Sequence, residues 1–127
     1  ILRCLVGSEM CIRDRRLLAD IKKIASDEDI RNSLERVGLN SDLKVKKFSL
    51  GMKQRLNVAQ AIFEKQNIIL LDEPTNALDN DGVQLIYSII KEEKQRGATV
   101  IVATHHKEDL DELCDTILTV SEGRLIE

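Results

Sequence analysis

Two adjacent carboxylates, Asp72 and Glu73, follow four consecutive aliphatic residues, Ile68, Ile69, Leu70 and Leu71, and directly precede Pro74. Side by side, such groups repel each other unless a cation or a proton lies close by. Magnesium carried by nucleotide phosphates would suit the pair, because hard cations take oxygen ligands. The bland alternative is that the two acids end a strand in a solvated loop. A second candidate is His105, which follows the apolar residues Val100, Ile101, Val102 and Ala103 and then Thr104. An imidazole beside the acids can hydrogen-bond a phosphate oxygen or an attacking water. The third candidate is Ser49 with Gly51, at the start of a stretch of helical periodicity. The free N–H groups and positive partial charge of a helix start can hold a phosphate. Serine adds a hydroxyl and glycine lets the backbone approach closely, although the same residues also suit an ordinary capped helix.

The elements that must position these groups can be read from spacing. An unbroken apolar run suits a strand buried on both faces of a parallel sheet. Pro74 cannot continue the ladder, so the strand stops at Glu73 with both acids at its carboxyl end, where open α/β sheets bind ligands. Asp81 is expected to start a helix with Val83, Ile86, Tyr87 and Ile90 inward and Lys91, Glu92, Lys94 and Gln95 outward. Gly97 closes it, and residues 99–104 form the next strand. A strand–helix–strand connection of this kind makes a right-handed parallel crossover, which brings His105 to the edge that holds Asp72 and Glu73. His106 is expected to cap a helix over residues 107–113. Strands follow over 116–120 and 125–126, with a turn between them. Upstream, Leu17, Leu18, Ile21, Ile24 and Ala25 mark one helix. Ser26 and Asp29 have capping-box spacing for a second, whose stripe is Ile30, Leu34 and Val37 and whose end is Gly38. Lys44, Lys46 and Lys47 lie in a basic loop, solvated or touching a phosphate. The fold class is α/β, preceded by a helical segment.

The sequence has 127 residues, of which 43% are hydrophobic and 32% charged, enough for one globular domain or part of one. A net charge of −3 provides no basic field to recruit nucleic acid, and aromatic residues at 2% leave little to stack on bases or sugars. No window approaches the roughly 18 apolar residues of a membrane span, and nothing reads as a secretory signal. Cys4, Cys11 and Cys114 have no metal-ligand spacing, so reduced thiols are expected, with Cys114 buried among Leu110, Leu113 and Ile117.

Taken together, the motifs from about Arg16 onward resemble the carboxyl-terminal part of an ATP-binding cassette (ABC) domain, the motor subunit of ABC transporters and a variety of P-loop NTPase. Phe48-Ser49-Leu50-Gly51-Met52-Lys53-Gln54-Arg55 resembles the family's signature loop, and residues 68–73 resemble its Walker B strand. Asn76-Ala77-Leu78-Asp79 resembles the D-loop and Thr104-His105 the H-switch. The four together, in order and spacing, are specific to the family. The resemblance implies ATP and Mg2+ as cofactors. It implies that Asp72 holds magnesium through its water shell and that Glu73 is the general base. It further implies that His105 contacts the γ-phosphate, that Asp79 helps join two nucleotide sites, and that Ser49 and Gly51 bind ATP carried by a second cassette. Transmembrane permease subunits are the implied partners, with no direct nucleic acid, and the implied location is the cytoplasmic face of the membrane.

Leu50 stands where the family usually has glycine and Met52 where it has glutamine, a variant similar to exporters of bacitracin-like or lantibiotic peptides. No G-x-x-x-x-G-K-[ST] occurs in the sequence. Residues 1–15 resemble a translated sequencing adapter, residues 16–48 part of the helical subdomain and residues 49–127 the carboxyl-terminal part of the ATPase core. The expectation is an exporter ATPase subunit present as a part, with little ATP binding and no turnover by these residues alone. Two other readings stay open: a soluble cassette clamp acting on DNA or ribosomes, and a catalytically inactive domain that keeps the fold.

Overall fold

The computed structural model describes residues 26–39 and 47–126. The expected helix around Leu17, the lysines at 44 and 46, Cys4, Cys11 and the segment 1–15 lie outside the described residues. The first element, α1 (Asp27–Arg36), opens with the anticipated capping box: Ser26 Oγ accepts from Asp29 N–H at 3.2 Å, and the Asp29 carboxylate accepts from Ser26 N–H at 2.9 Å. These bonds, the backbone one foremost, hold the Asp29 carboxyl below its ordinary range. The helix ends where Gly38 turns to φ +69, with Gly38 N–H on Glu35 O and Leu39 N–H on Leu34 O, both at 2.9 Å. That paired closure requires a left-handed residue, which glycine adopts at little cost.

Ser49 caps α2 (Leu50–Ile62) through a 3.2 Å bond from Met52 N–H. The strand β1 (Ile68–Asp72) pairs in parallel with β2 (Thr99–Ala103), from Ile68 opposite Thr99 to Asp72 opposite Ala103. Between them runs α3 (Asn80–Gln95), the crossover helix. It starts earlier than Asp81, because Asp79 Oδ1 accepts from Gly82 N–H at 2.9 Å and is the better-placed cap. After β2 come α4 (Lys107–Leu113) and an antiparallel hairpin of β3 (Thr119–Ser121) and β4 (Arg124–Ile126). The strand expected from residue 116 therefore begins three residues later and is shorter. Cys114 caps the end of α4 as a half-buried free thiol, more open than its apolar neighbours implied. No helix among the described residues is long and apolar enough to cross a membrane.

One core joins these elements. Ile30 and Leu34 of α1 and Val37 at its end pack with Leu56, Val58 and Ile62 of α2, Ile69 and Leu71 of β1, and Ile86, Ile89 and Ile90 of α3. β1 is not buried on both faces: Ile69 and Leu71 face this core, whereas Ile68 and Leu70 are 62% and 65% exposed. The reason is one-sided packing, since α2 contacts β1 and α3 contacts β2 on the core side while Ile68, Leu70 and Ile101 lie open on the other.

α1 is further tied to α3 through the buried carboxylate of Glu93. Arg36 Nη1 donates to Glu93 Oε1 and Arg96 Nε to Glu93 Oε2, both at 2.8 Å, and Arg36 Nη2 reaches Glu92 at 2.8 Å. Partial burial acts to lower the pKa of Arg36, but the bonds to Glu93 and Glu92 outweigh it and raise it. Replacing Glu93 with alanine removes the carboxylate shared by Arg36 and Arg96, leaving Arg36 with Glu92 and Arg96 with the Gln66 carbonyl. The expected loss is about 2 kcal/mol, below the usual figure for a fully buried pair because solvent screens both arginines. A urea denaturation midpoint measures it, and an unchanged midpoint would show that the network contributes nothing.

Candidate functional site

Glu73 leaves β1 with φ +49, a left-handed conformation that a residue with a Cβ adopts at a cost of about 1–2 kcal/mol. Three sets of contacts hold it there. Its N–H donates to Ala103 O at 2.8 Å, which extends the β1–β2 ladder by one bond past Asp72. Its carbonyl accepts from Gln54 Nε2 of α2 at 2.8 Å and from Asn76 N–H at 3.1 Å. Its side chain meets His105 Nδ1 through Oε1 at 2.7 Å. The kink turns the half-buried carboxylate across the end of β2, so the acid and the imidazole, 32 residues apart in the chain, are paired as their positions on parallel strands implied. Asp72, the residue before, is exposed at the same carboxyl edge.

The other carboxylate oxygen of Glu73 lies 3.5 Å from Thr104 Oγ1. Thr104 has one hydroxyl proton, and its shorter bond is to Asp109 Oδ2 at 2.7 Å. Oε2 therefore keeps its capacity to accept a proton. Asp109, fully buried in α4, is the hub behind the site. Thr75 Oγ1 donates to Oδ2 at 2.8 Å and Tyr87 OH to Oδ1 at 2.6 Å. One carboxylate thus joins the loop after Glu73, the crossover helix and the residue before His105. Burial pushes the Asp109 carboxyl up, but the bonds from Tyr87, Thr104 and Thr75 outweigh it and hold it below the ordinary carboxylate range. Burial and the same bond push the Tyr87 hydroxyl well above the usual phenol range.

The remaining sequence candidates sit nearby with local partners. Ser49 spends its hydroxyl on the α2 cap. Gly51 suits a close approach: a Cβ there would stand 3.0 Å from Ala77 O, tighter than ordinary contact, and 3.5 Å from Leu78 Cδ2. The start of α2 is in this way seated against the loop of residues 76–79. Asp79 caps α3 and lies 3.5 Å from Arg55 Nη2 of α2. His106 occupies the N-cap position of α4 but makes no side-chain capping bond; instead its N–H donates to Thr104 Oγ1 at 3.1 Å. Gln54, Thr75, Tyr87 and Asp109 were missed as site residues. Tyr87 carried one usable signal, because a tyrosine on an inward helix face needs a partner for its hydroxyl.

A parallel strand pair with a crossover helix, bearing an acid–imidazole couple at its carboxyl edge, defines an α/β protein of the P-loop NTPase type. A family model described as ABC transporter matches residues 5–76, more than half of the sequence, and the chain belongs to that family. It is similar to the ABC transporter ATP-binding protein YybJ of Bacillus subtilis (strain 168), with 60% identity over 87% of this chain and 51% of YybJ. It is 38% identical to the bacitracin transport ATP-binding protein BcrA of Bacillus licheniformis over 97% of this chain and 40% of BcrA. Among solved structures it resembles cbiO1 of Clostridium perfringens, described as part of the ABC transporter complex cbiONQ. The TM-score is 0.63 and the identity 32%, covering 79% of this chain and 41% of that one. The chain thus spans about half or less of the length of the proteins it matches.

The Asp109 hub makes acid stability a direct readout. A carboxyl held below its unfolded value stabilises the fold above about pH 4, and that contribution disappears as pH falls through the lowered folded value. Tyr87→Phe removes one of the three donors. It is expected to cost about 1–3 kcal/mol at neutral pH and to move the onset of acid unfolding to higher pH. Circular dichroism against pH for both forms tests this, and superimposable acid profiles would contradict the assignment.

Proposed function

We propose that the chain is the carboxyl-terminal part of the ATP-hydrolysing subunit of an ABC exporter and supplies that subunit's water-activating groups. The observation that carries this reading is the 2.7 Å contact between Glu73 Oε1 and His105 Nδ1, made by a glutamate locked in a left-handed turn. A carboxylate so fixed, with Oε2 left open, is suited to take a proton from water. In the reaction the water oxygen bonds to the γ-phosphorus, the bond from that phosphorus to the β-phosphate oxygen breaks, and ADP and phosphate leave. Glu73 receives the water proton. With Nδ1 directed at Glu73, the other ring nitrogen of His105 remains for a γ-phosphate oxygen. Orientation by the protein carries most of the catalysis, because phosphoryl transfer requires little covalent chemistry from the enzyme.

The exposed carboxylate of Asp72, an oxygen donor at the same edge, fits a hard cation held through water. Magnesium bound there supplies charge neutralisation on the phosphates. Ser49 and Gly51 form a helix start suited to a phosphate, and the site is completed by their presentation to nucleotide on a second cassette, with Asp79 at the junction between the two. The phosphate-gripping loop is supplied by sequence other than these residues. Residues 49–127 serve as the carboxyl-terminal part of the core, and residues 16–48 as part of the helical subdomain that meets a transmembrane permease at the cytoplasmic face. The similarity to a bacitracin transport subunit, with Leu50 and Met52 in the signature loop, supports peptide-like cargo.

In the complete subunit, Glu73→Gln is expected to lower ATP turnover by at least about 100-fold, the usual contribution of a general base, while ATP binding persists. Steady-state phosphate release and nucleotide binding measure the two effects separately. Near-normal hydrolysis by the variant would remove Glu73 from the role of base.

A further inference from the structure

The fold uses the backbone of His106, whose N–H donates to Thr104 Oγ1, and the proposed hydrolysis does not use its ring. Its ring makes no capping bond to α4 and lies beside His105, with ring centroids 4.1 Å apart and planes tilted by 35°. One ligand atom from each of Glu73, His105 and His106 lies within 4.8 Å of the others. We propose that these three side chains form a site for a borderline-soft divalent transition metal, of which zinc is the type, distinct in chemistry from the magnesium expected at Asp72.

Two imidazole nitrogens and one carboxylate oxygen are a donor set that zinc accepts, with a fourth position left for water. Bonds of about 2.0–2.2 Å in a tetrahedral site place ligand atoms roughly 3.5 Å apart. The three atoms, now within 4.8 Å of one another, close to that spacing by side-chain rotation, while the 2.7 Å Glu73–His105 contact opens slightly. The side chain of His105 is 71% exposed, so a turn of its ring meets little packing and exchanges the Glu73 contact for the metal. Nearby charge is mixed: Asp72 and Glu108 are exposed within two residues of the set in sequence, exposed Lys107 stands beside His106, and buried Asp109 interacts with His106 through charge. Magnesium does not compete well for such a site, since it prefers oxygen donors in octahedral geometry. Zinc bound here engages both the carboxylate and the imidazole that the proposed reaction needs, so it inhibits hydrolysis. That consequence rests on the function proposed above, whereas binding itself does not.

Calorimetric titration of the full 127-residue chain with zinc chloride, in millimolar magnesium and without nucleotide, tests the site. One zinc per chain is expected, with affinity lowered by at least about 10–100-fold in His106→Ala and in the cap-competent His106→Asn, since loss of even an outer-shell partner of a metal ligand costs that much. Cobalt in place of zinc should give the visible absorption of a four-coordinate ion, lost in both variants. Absence of saturable binding, or equal affinity in variants that keep the native circular dichroism, overturns the proposal. In the complete subunit, zinc should slow ATP turnover in the parent, and His106→Ala should need correspondingly more zinc for the same fractional slowing. Zinc binding with no effect on turnover would leave the metal site standing and count against the catalytic roles of Glu73 and His105.

Discussion

Glu73 is held in a backbone conformation that it would not choose, and much of the architecture can be read as what holds it there. The left-handed turn costs about 1–2 kcal/mol, and single hydrogen bonds contribute roughly 0.5–1.5 kcal/mol net. No one contact decides the matter. The bond to Ala103 requires β2 in parallel register, the bond from Gln54 requires α2 packed beneath the loop, and the bond to His105 requires β2 to end where it does. A shift of one residue in the β1–β2 register would separate the acid from the imidazole and leave a polar backbone group without its partner. The geometry of the acid–imidazole pair and the fold register are therefore the same constraint.

Behind that contact, Asp109 converts three separate segments into one unit. Hydroxyl donors reach it from the loop after β1, from α3 and from the residue preceding His105. A buried carboxylate is expensive unless its oxygens are satisfied, and here both oxygens accept short bonds. Thr104 lies at the meeting point, donating to Asp109 while accepting from His106 N–H. The loop that bears Thr75 also carries a second left-handed residue, Ala77 at φ +62, whose carbonyl lies against Gly51. The start of α2 and the acidic edge are thereby held in a fixed relation through the backbone.

The open face of β1 and β2 completes this picture. Ile68, Leu70 and Ile101 are more than half exposed, whereas the opposite face is sealed by α2 and α3. Apolar residues on both faces are the mark of a strand from the interior of a parallel sheet, and the matched relatives are about twice as long as this chain or longer. The run of four aliphatic residues correctly marked a strand, yet the expectation that it is buried on both faces fails among the described residues.

Much of the site was legible from residue order alone. An apolar run ended by acids and proline marked the edge, a second apolar run ended by histidine marked its neighbour, and the capping signals at Ser26 and Ser49 were local enough to read directly. These features depend on neighbours within a few residues, where the chemistry of the chain dictates the outcome. The left-handed turn at Glu73, the seating of Gly51 on Ala77 and the convergence of Thr75, Tyr87 and Thr104 on Asp109 were decided only by tertiary structure. Each joins groups far apart in sequence, up to 34 residues for Thr75 and Asp109, and no local pattern records which distant partner will fill a buried valence. Likewise the exposure of one sheet face follows from where helices pack, not from which residues the strand contains.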